Sequence, residues 1–533
     1  MKRLFSTLCL VLTLATTMQA QIYLGISTDK NRYSIPISDV DSLVYSSGTM
    51  DMLPELMKAD PAISLFTEAL YLTGINEMLY WFIDTGYHIG ADSVNWDNQA
   101  LVKKIAPEYD NVAYPKQRRR AFTVFAEPDT VFANKYGITD IKGLKQLAAR
   151  LYDPVYPADA GVTDPTDARN SLHRFVLYHI LNRRATYFML TCQDGHQLAG
   201  NFNRRLMDIS DWYETLLPQA SLKCSFPNGR DTGLYINRRG IQSHEDNQGV
   251  FVRGAKLTPP DNMKEWGVEN ESEFGVYHYI DDIIAYDLET QKNLGGELWR
   301  VDATTLSPDF MTQTGYNDSP ARGHQSPSSG YYGNYTTASY NSDITNPRYC
   351  LGFKAGTAEN YEFKDDETHL HVRPRTLQFW SYQGDEVALS GPFDVTVKLP
   401  PLPAGKYELL LGVAVEIANR TTVQVYLDGV PMGVPIDPSV SAASLGWNSD
   451  DEAELNANGW RKGPKEYSTA DGYDGTTHTA FSDLKQTLRR ILGYITYDGK
   501  TDHYLRLKNL SDADDKGFPF DYLDFIPVSL LNE

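Results

Sequence analysis

Few side chains in this sequence have the types and spacing of a catalytic centre. His369 and His371 are two residues apart, so on a strand both imidazoles would share one face, but no carboxylate or third histidine accompanies them as a metal ligand. The sequence has no HExxH, GxSxG or CxxC motif and no phosphate-binding glycine loop. Its 69 acidic residues include no pair that the spacing singles out for glycoside hydrolysis. We therefore predict a protein that is not an enzyme and has no catalytic residues.

Two acidic segments are the candidates for a metal ion. Asp450-Asp451-Glu452 could hold calcium in a loop, but solvated surface charge is the simpler interpretation. Residues 512–517 begin like a calcium loop, yet Lys516 and Leu523 occupy positions that should supply oxygen ligands. The sequence predicts no metal and no cofactor, with structural calcium as the alternative.

Aromatic side chains are the candidates for ligand binding. Sugar rings stack on exposed aromatic rings, and a few polar groups then fix their orientation. The candidates lie in irregular stretches of the C-terminal third, and they are Trp447, Trp460, Tyr467, Trp380 and Tyr382. The alternative interpretation is that these rings pack in a core or within loops.

The C-terminal third must position these aromatics, and its pattern is that of short strands. Apolar residues alternate with polar ones over 393–399, 407–415 and 423–427, and Asp428-Gly429 is a hairpin signal. Such strands, separated by Gly and Pro turns, predict an all-β sandwich over residues 349–533. The order of the segments 403–407, 425–429 and 521–527 resembles that of galactose-binding-like jelly rolls, the architecture of many carbohydrate-binding modules.

The middle of the chain alternates strand and helix patterns. Residues 121–126 predict a strand, and Asp129 is placed to cap the helix that follows it. A second helix is predicted over 141–151 and a third over 171–184. In the third helix, apolar residues at helical spacing place His179 on the buried stripe, where a histidine is usually a satisfied core residue.

Residues 60–288 together resemble a fasciclin-like domain. The strand, turn and helix around Phe125, Asp129 and Phe132 are similar to the first signature of that family, and Tyr178-His179 is similar to the second. Thr215-Leu216-Leu217 and residues 275–281 resemble the later landmarks. The resemblance implies an α+β adhesion domain that works outside the cell, in which these signature residues are structural.

The N-terminus and the charge bear on location and partners. Lys2 and Arg3 precede an apolar run that ends at Ala15, so we predict a signal peptide over residues 1–20 and an exported protein, in the periplasm, on the outer-membrane surface or secreted. No later run is long enough for a transmembrane segment. A net charge of −20 argues against nucleic acid as a partner. Whether Cys192 and Cys224 form a disulfide stays open.

These patterns combine into a multidomain prediction. Its segments are a signal peptide (1–20), an N-terminal segment (21–57), a fasciclin-like α+β domain with insertions (58–290), a polar linker or long loop (291–348) and a jelly-roll β-sandwich (349–533). The predicted function is non-catalytic adhesion and glycan binding at a bacterial cell surface, with polysaccharide or a cell-surface protein as partner. Two alternatives remain: a structural protein-protein module of an exported assembly, and an unrecognised polysaccharide hydrolase.

Overall fold

A computed structural model of the chain forms two compact units, Met1–Met50 and Asp51–Glu533. It describes residues 23–27, 32–36, 52–80, 111–113, 120–185, 190, 208–227, 234–241, 250–252, 254–258, 270–272, 275–312, 349–353, 358–364, 368–373, 382, 386–416, 420–448, 450–464, 487–511 and 516–532. Within these ranges, no helix is long and apolar enough to cross a membrane. The predicted signal peptide lies outside the described residues.

Short helices precede or connect the strands of the second unit. In chain order the α-helices are α1 (Leu53–Ala59), α2 (Ser64–Leu72), α3 (Asp129–Tyr136), α4 (Ile141–Tyr152), α5 (Ser171–Tyr178), α6 (Leu288–Gly295), α7 (Pro308–Thr312) and α8 (Glu452–Ala457).

The strands are, in chain order, β1 (Tyr23–Ser27), β2 (Arg32–Pro36), β3 (Asn111–Ala113), β4 (Phe122–Ala126), β5 (Ile180–Leu181), β6 (Asp208–Glu214), β7 (Ser221–Pro227), β8 (Tyr235–Ile236), β9 (Arg239–Ile241), β10 (Val250–Val252), β11 (Ala255–Lys256), β12 (Glu271–Ser272), β13 (Gly275–Tyr279), β14 (Trp299–Asp302), β15 (Tyr349–Phe353), β16 (Tyr361–Phe363), β17 (His369–Arg373), β18 (Glu386–Ser390), β19 (Asp394–Lys398), β20 (Gly405–Ala414), β21 (Val423–Leu427), β22 (Val430–Pro431), β23 (Trp460–Lys462), β24 (Thr487–Tyr497), β25 (Tyr504–Asn509), β26 (Gly517–Phe520) and β27 (Tyr522–Pro527).

The C-terminal strands form three five-stranded sheets. The β20 sheet has the order β14-β27-β20-β24-β23, a second sheet has the order β16-β19-β25-β21-β22, and a third has the order β26-β18-β17-β15-β3. All their pairings are antiparallel except that of β15 with β3. In β19, Val395 and Val397 are buried while the residues between them are partly exposed, as the alternating pattern predicts. These residues join those of β20 in one hydrophobic core, so sheets pack on each other as in a sandwich.

The middle of the chain combines helices with two four-stranded sheets. One sheet has the order β12-β13-β4-β5, in which β13 and β4 are parallel, and the other has the order β11-β8-β7-β6. Asp140 and Asn170 cap α4 and α5 by accepting bonds from backbone N–H groups. The predicted helix over 171–184 ends early at Tyr178, because Ile180 and Leu181 pair with β4. His179 is fully buried, as its position in the pattern predicted.

Asp129 caps a different helix from the one predicted. The α3 helix begins at Asp129 itself, and Pro128 in the cap position provides no side-chain bond. The Asp129 carboxylate instead accepts bonds from the N–H of Leu65, at 2.9 Å, and from the hydroxyl of Ser64, at the start of α2. The cap prediction was therefore wrong about the partner. The Asp129 carboxylate caps the start of α2, which lies next to it in space, and not the helix that follows it in the sequence.

The predicted linker begins with regular structure. Residues 288–295 form α6, and Trp299–Asp302 form β14, an edge strand of the β20 sheet paired with β27. All four residues of this strand are buried, including the charged Arg300 and Asp302. The polar composition of the residues that follow gave no sign of a buried strand here. Residues 313–348 lie outside the described part of the chain. Residues 51–533 form one compact unit, and the domain boundaries expected at residues 57, 290 and 348 stay predictions.

Contacts between the middle region and the sandwich hold residues 51–533 together as one compact unit. The rings of Trp212 on β6 and Trp299 on β14 stack with centroids 3.6 Å apart. Lys223 on β7 forms an ion pair with Glu297 at 2.5 Å, and both side chains are largely buried. The hydroxyl of Ser221 donates a bond to the carbonyl of Pro401. Aromatic stacking and buried polar contacts of this kind fix the two regions against each other.

Cys224 on β7 is buried and free. Burial raises the pKa of its thiol well above the ordinary value, and the charge of Asp211 adds to that effect. A thiol with a raised pKa is a poor nucleophile. Cys192 lies outside the described residues, and Cys224 forms no disulfide.

His278 on β13 predicts a pH dependence of stability. Burial lowers the pKa of this histidine to about 4, although its ring donates a bond to the carbonyl of Ala185 at 2.9 Å. In the unfolded chain this histidine binds a proton below about pH 6.5, whereas in the folded protein it does so only near pH 4. The contribution of neutral His278 to stability is therefore fully present above pH 6.5 and is lost as the pH falls towards about 4. The expected loss is about 3 kcal/mol.

Urea unfolding at pH 7 and at pH 4.5 measures this loss. The variant His278→Gln keeps an N–H donor but does not titrate, so it should show a smaller decrease between the two pH values than the unaltered protein. An equal decrease in both proteins would contradict the assignment to His278.

Candidate functional site

The β20 sheet has one apolar face and one face that carries charges. Residues 407, 409, 411 and 413 of β20 belong to the hydrophobic core, while Lys406 and Glu408 lie on the opposite face. Strand register places Tyr494 of β24 opposite Glu408, and Asp524 of β27 opposite Leu410. We call this second side the polar face, and its polar and charged residues include Arg300, Asp302, Lys406, Glu408, Arg461, Arg489, Tyr494, Thr496 and Asp524.

A β-bulge in β24 assembles the polar face. Leu409 pairs with Gly493 and Leu410 pairs with Ile491, so Leu492 is an extra residue in the ladder. Side chains alternate along a strand, so Arg489 and Tyr494, five residues apart, would normally lie on opposite faces. The extra residue restores them to the same face. Gly493 has φ of 131°, a conformation that other residues rarely adopt, and it makes the bulge possible.

Asp524 is held by two arginines at the centre of the polar face. Arg300 donates two bonds to its carboxylate, at 2.8 and 3.0 Å, and Arg489 donates a third at 2.9 Å. Burial by itself would raise the pKa of Asp524, but the two guanidiniums outweigh it and hold the pKa below its usual range. This carboxyl group is therefore ionised in the folded protein.

Tyr522 covers one side of this ionic cluster. Its ring lies across Gly412 so closely that a Cβ at Gly412 would stand 2.1 Å from a ring carbon. The guanidinium of Arg300 lies 5.4 Å from the centroid of the Tyr522 ring. The absence of a side chain at residue 412 thus lets an aromatic ring shield the buried charges.

The open part of the polar face lies where β20 begins and β24 ends. Tyr494 is 53% exposed, and the ammonium of Lys406 lies 4.9 Å from its ring centroid. Thr496 is exposed beside it, and Glu408 forms an ion pair with Arg461 at 2.6 Å. An exposed ring bordered by hydrogen-bonding groups is the arrangement that saccharide stacking requires.

The structure separates the aromatic residues that the sequence grouped. Trp460 is 7% exposed, faces the core side of β23 and contacts the guanidinium of Arg490 at 5.2 Å. Tyr382 is 2% exposed and packs against Tyr522. Such burial leaves little ring surface for a sugar. Trp447 is half-buried against the core. Tyr467 and Trp380 lie outside the described residues.

The acidic segment before α8 has a local structural role. The carboxylate of Asp451 accepts bonds from the N–H groups of Ala453 and Glu454 and so caps that helix. Within the described ranges, no group of three or more His, Cys, Asp or Glu residues is arranged to hold a metal ion. Residues 512–515 lie outside those ranges.

Tyr494 was missed because it lies within a strand rather than in a loop. The rings predicted to bind a ligand lie in irregular stretches, whereas residues 494–497 have the pattern of a half-exposed strand, with Tyr494 and Thr496 exposed and Ile495 and Tyr497 buried. Alternation in this short stretch predicts the exposed side of β24. It does not predict the bulge that brings Arg489 to the same side.

The sequence matches no protein-family model and no curated protein. Among solved structures, it is similar to a xanthan lyase from Paenibacillus, with 11% identity over 33% of this chain and 13% of that protein and a TM-score of 0.19. A family GH115 4-O-methyl-α-glucuronidase with specificity for decorated arabinogalactans matches with 14% identity over 36% of this chain and 19% of its own, with a TM-score of 0.18. A family 35 carbohydrate-binding module from Clostridium thermocellum matches with 9% identity over 34% of this chain and 92% of its own, with a TM-score of 0.15. The chain thus spans less than two thirds of the lyase and of the glucuronidase, and at these TM-scores none of the three serves as a guide to its activity.

Proposed function

We propose that this chain is an exported, non-catalytic protein that binds glycan on the polar face of its β-sandwich. The observation that carries the proposal is the exposed ring of Tyr494, set in a sheet between Lys406 and the Glu408–Arg461 pair. The ring offers an apolar surface to one face of a sugar. The exposed Lys406 ammonium, the exposed Thr496 hydroxyl and the partly exposed Arg461 guanidinium offer hydrogen-bonding groups to its hydroxyls.

Residues 58–290 form the adhesion part of this proposal, as a fasciclin-like domain. The order of β4, the turn at Glu127-Pro128 and α3 supports it, and so does the burial of Phe125, Phe132, Tyr178 and His179. Buried signature residues shape the fold and do not contact a partner. We accordingly propose the saccharide site in the sandwich, against which the middle region packs through Trp212 and Trp299.

Substitution of Tyr494 tests the saccharide site. The purified full-length protein is screened against a glycan array, and the strongest ligand is then titrated by calorimetry. We expect Tyr494→Ala to weaken binding by at least about tenfold, because ring stacking is a central contact of such sites. Unchanged affinity in this variant would contradict the proposal.

A matched control is available on the neighbouring sheet. Tyr504 of β25 is 43% exposed, close to the value for Tyr494, but it belongs to another sheet. Tyr504→Ala should leave saccharide affinity within about twofold, as expected for surface changes outside the contact. If no glycan binds the unaltered protein while a cell-surface protein does, the alternative of a protein-protein module is favoured.

A polysaccharide hydrolase remains the second candidate because the polar face brings two carboxylates together. Glu408 and Asp524 lie on the neighbouring strands β20 and β27. Glycoside hydrolysis needs one carboxyl group that donates a proton. Asp524 is a poor proton donor, since two guanidiniums keep it ionised. Release of reducing ends from a polysaccharide, lost in Glu408→Gln, would favour the hydrolase over the binding protein.

A further inference from the structure

The charges of the polar face specify its ligand further, and this inference rests on the proposed saccharide site. Among the described residues that the strand register places on the polar face, the cations are four, Arg300, Lys406, Arg461 and Arg489, and the carboxylates are three, Asp302, Glu408 and Asp524. The whole chain has a net charge of −20. A local surplus of positive charge on a strongly acidic protein is a feature that attracts anionic ligands and orients them. We infer that the polar face binds an acidic glycan, one that carries carboxylate or sulfate groups.

Most of these cations are engaged within the protein. Arg300 and Arg489 hold Asp524, and Arg461 is paired with Glu408. The exception is Lys406, which is exposed and has no carboxylate within ion-pair distance among the residues that the structure describes. The ammonium that borders the Tyr494 ring is therefore the group left to receive a negative charge from the ligand.

The ring that would stack on a sugar, Tyr494, and the ammonium that would bind its acidic group, Lys406, lie side by side. The Lys406 ammonium lies over the Tyr494 ring, 4.9 Å from its centroid. A saccharide stacked on Tyr494 would thus bring a carboxylate or sulfate on that ring, or on the next, within reach of Lys406. The side chain of Arg461 is 27% exposed and borders the opposite side of Glu408. It provides a guanidinium towards which the acidic chain can continue, since a guanidinium binds carboxylates and sulfates well.

Paired glycans test this inference with the full-length protein. Affinities are measured for oligogalacturonate and its carboxyl-reduced neutral form, for dextran sulfate and dextran, and for each other acidic glycan of the array with its neutral counterpart. We expect at least one acidic member to bind about tenfold more tightly than its neutral counterpart, with an advantage that shrinks as salt rises. The pair that shows the advantage identifies carboxylate or sulfate as the recognised group.

Lys406 is examined by substitution. Lys406→Gln should weaken binding of the acidic glycan about three- to tenfold and binding of the neutral counterpart by a clearly smaller factor, because glutamine keeps a donor for hydroxyl groups but has no charge. Lys364, an exposed lysine next to β16 on another sheet, provides the control, and Lys364→Gln should change neither. Equal binding of acidic and neutral members would overturn the inference and leave the proposed glycan function standing. Binding of no glycan at all would overturn the proposed function itself.

Discussion

Replacing Asp524 with alanine is expected to lower the free energy of unfolding by about 3–5 kcal/mol. The Asp524 carboxylate is fully buried and accepts three bonds from Arg300 and Arg489. Without it, two guanidiniums would lose the carboxylate that they share in a largely dry site. Removal of one partner from a buried ionic cluster costs far more than the same change at the surface, because the remaining charges are neither hydrated nor neutralised. Equilibrium urea unfolding, followed by tryptophan fluorescence, measures the difference.

Asp394 provides the matched control for this experiment. It also binds an arginine through two bonds, from Arg506 at 2.5 and 2.6 Å, but it lies on β19 and is partly exposed. Asp394→Ala should cost only about 1 kcal/mol, because water can solvate the freed guanidinium. Equal losses in the two variants would contradict the claim that burial makes the Asp524 cluster critical.

Replacing Glu127 with alanine is expected to have an effect of similar size, about 3–5 kcal/mol. The His179 ring is fully buried, with Nε2 2.9 Å from the Glu127 carboxylate and Nδ1 2.7 Å from the carbonyl oxygen of Phe175. A carbonyl oxygen can only accept, so Nδ1 carries a hydrogen, and one further proton is shared between Nε2 and Glu127. Loss of Glu127 would leave that ring nitrogen without a partner among the rings of Phe66 and Phe175.

The double variant Glu127→Leu with His179→Leu separates the cost of leaving the buried imidazole unpaired from the cost of altered packing. When both polar partners are replaced by apolar residues of similar size, no buried group is left unpaired, so part of the lost stability should return. The measurement is urea unfolding of Glu127→Ala, Glu127→Leu, His179→Leu and the double variant, of which the last three close a double-mutant cycle with the unaltered protein. If the double variant is no more stable than Glu127→Ala, the cost comes from altered packing and not from the unpaired imidazole.

Several features of the fold could be predicted from the sequence because they depend on local patterns. The alternation in 393–399, 407–415 and 423–427 predicted strands that the structure has as β19, β20 and β21. Helical spacing predicted α4 and the burial of His179. Side-chain periodicity follows from backbone geometry, and burial of the apolar side follows from periodicity.

Features that depend on distant partners could not be predicted in this way. β14 is a strand because Trp299 and Val301 pair and pack against a segment more than 200 residues away, and Asp129 caps α2 because that helix start is its neighbour in space. Trp460 and Tyr382 had the residue type of a saccharide platform, but tertiary packing placed them inside.

The candidate site shows the same division. The sequence by itself determined a set of aromatic residues, the absence of a recognisable catalytic motif and a strand pattern in which Tyr494 alternates with buried neighbours. Only the tertiary structure decided that Tyr494 lies beside Lys406 and shares a face with Arg489, Asp524 and Arg300. The physical reason is that strand register and the bulge at Leu492 set which side chains share a face, and both are fixed by pairing between strands far apart in the chain.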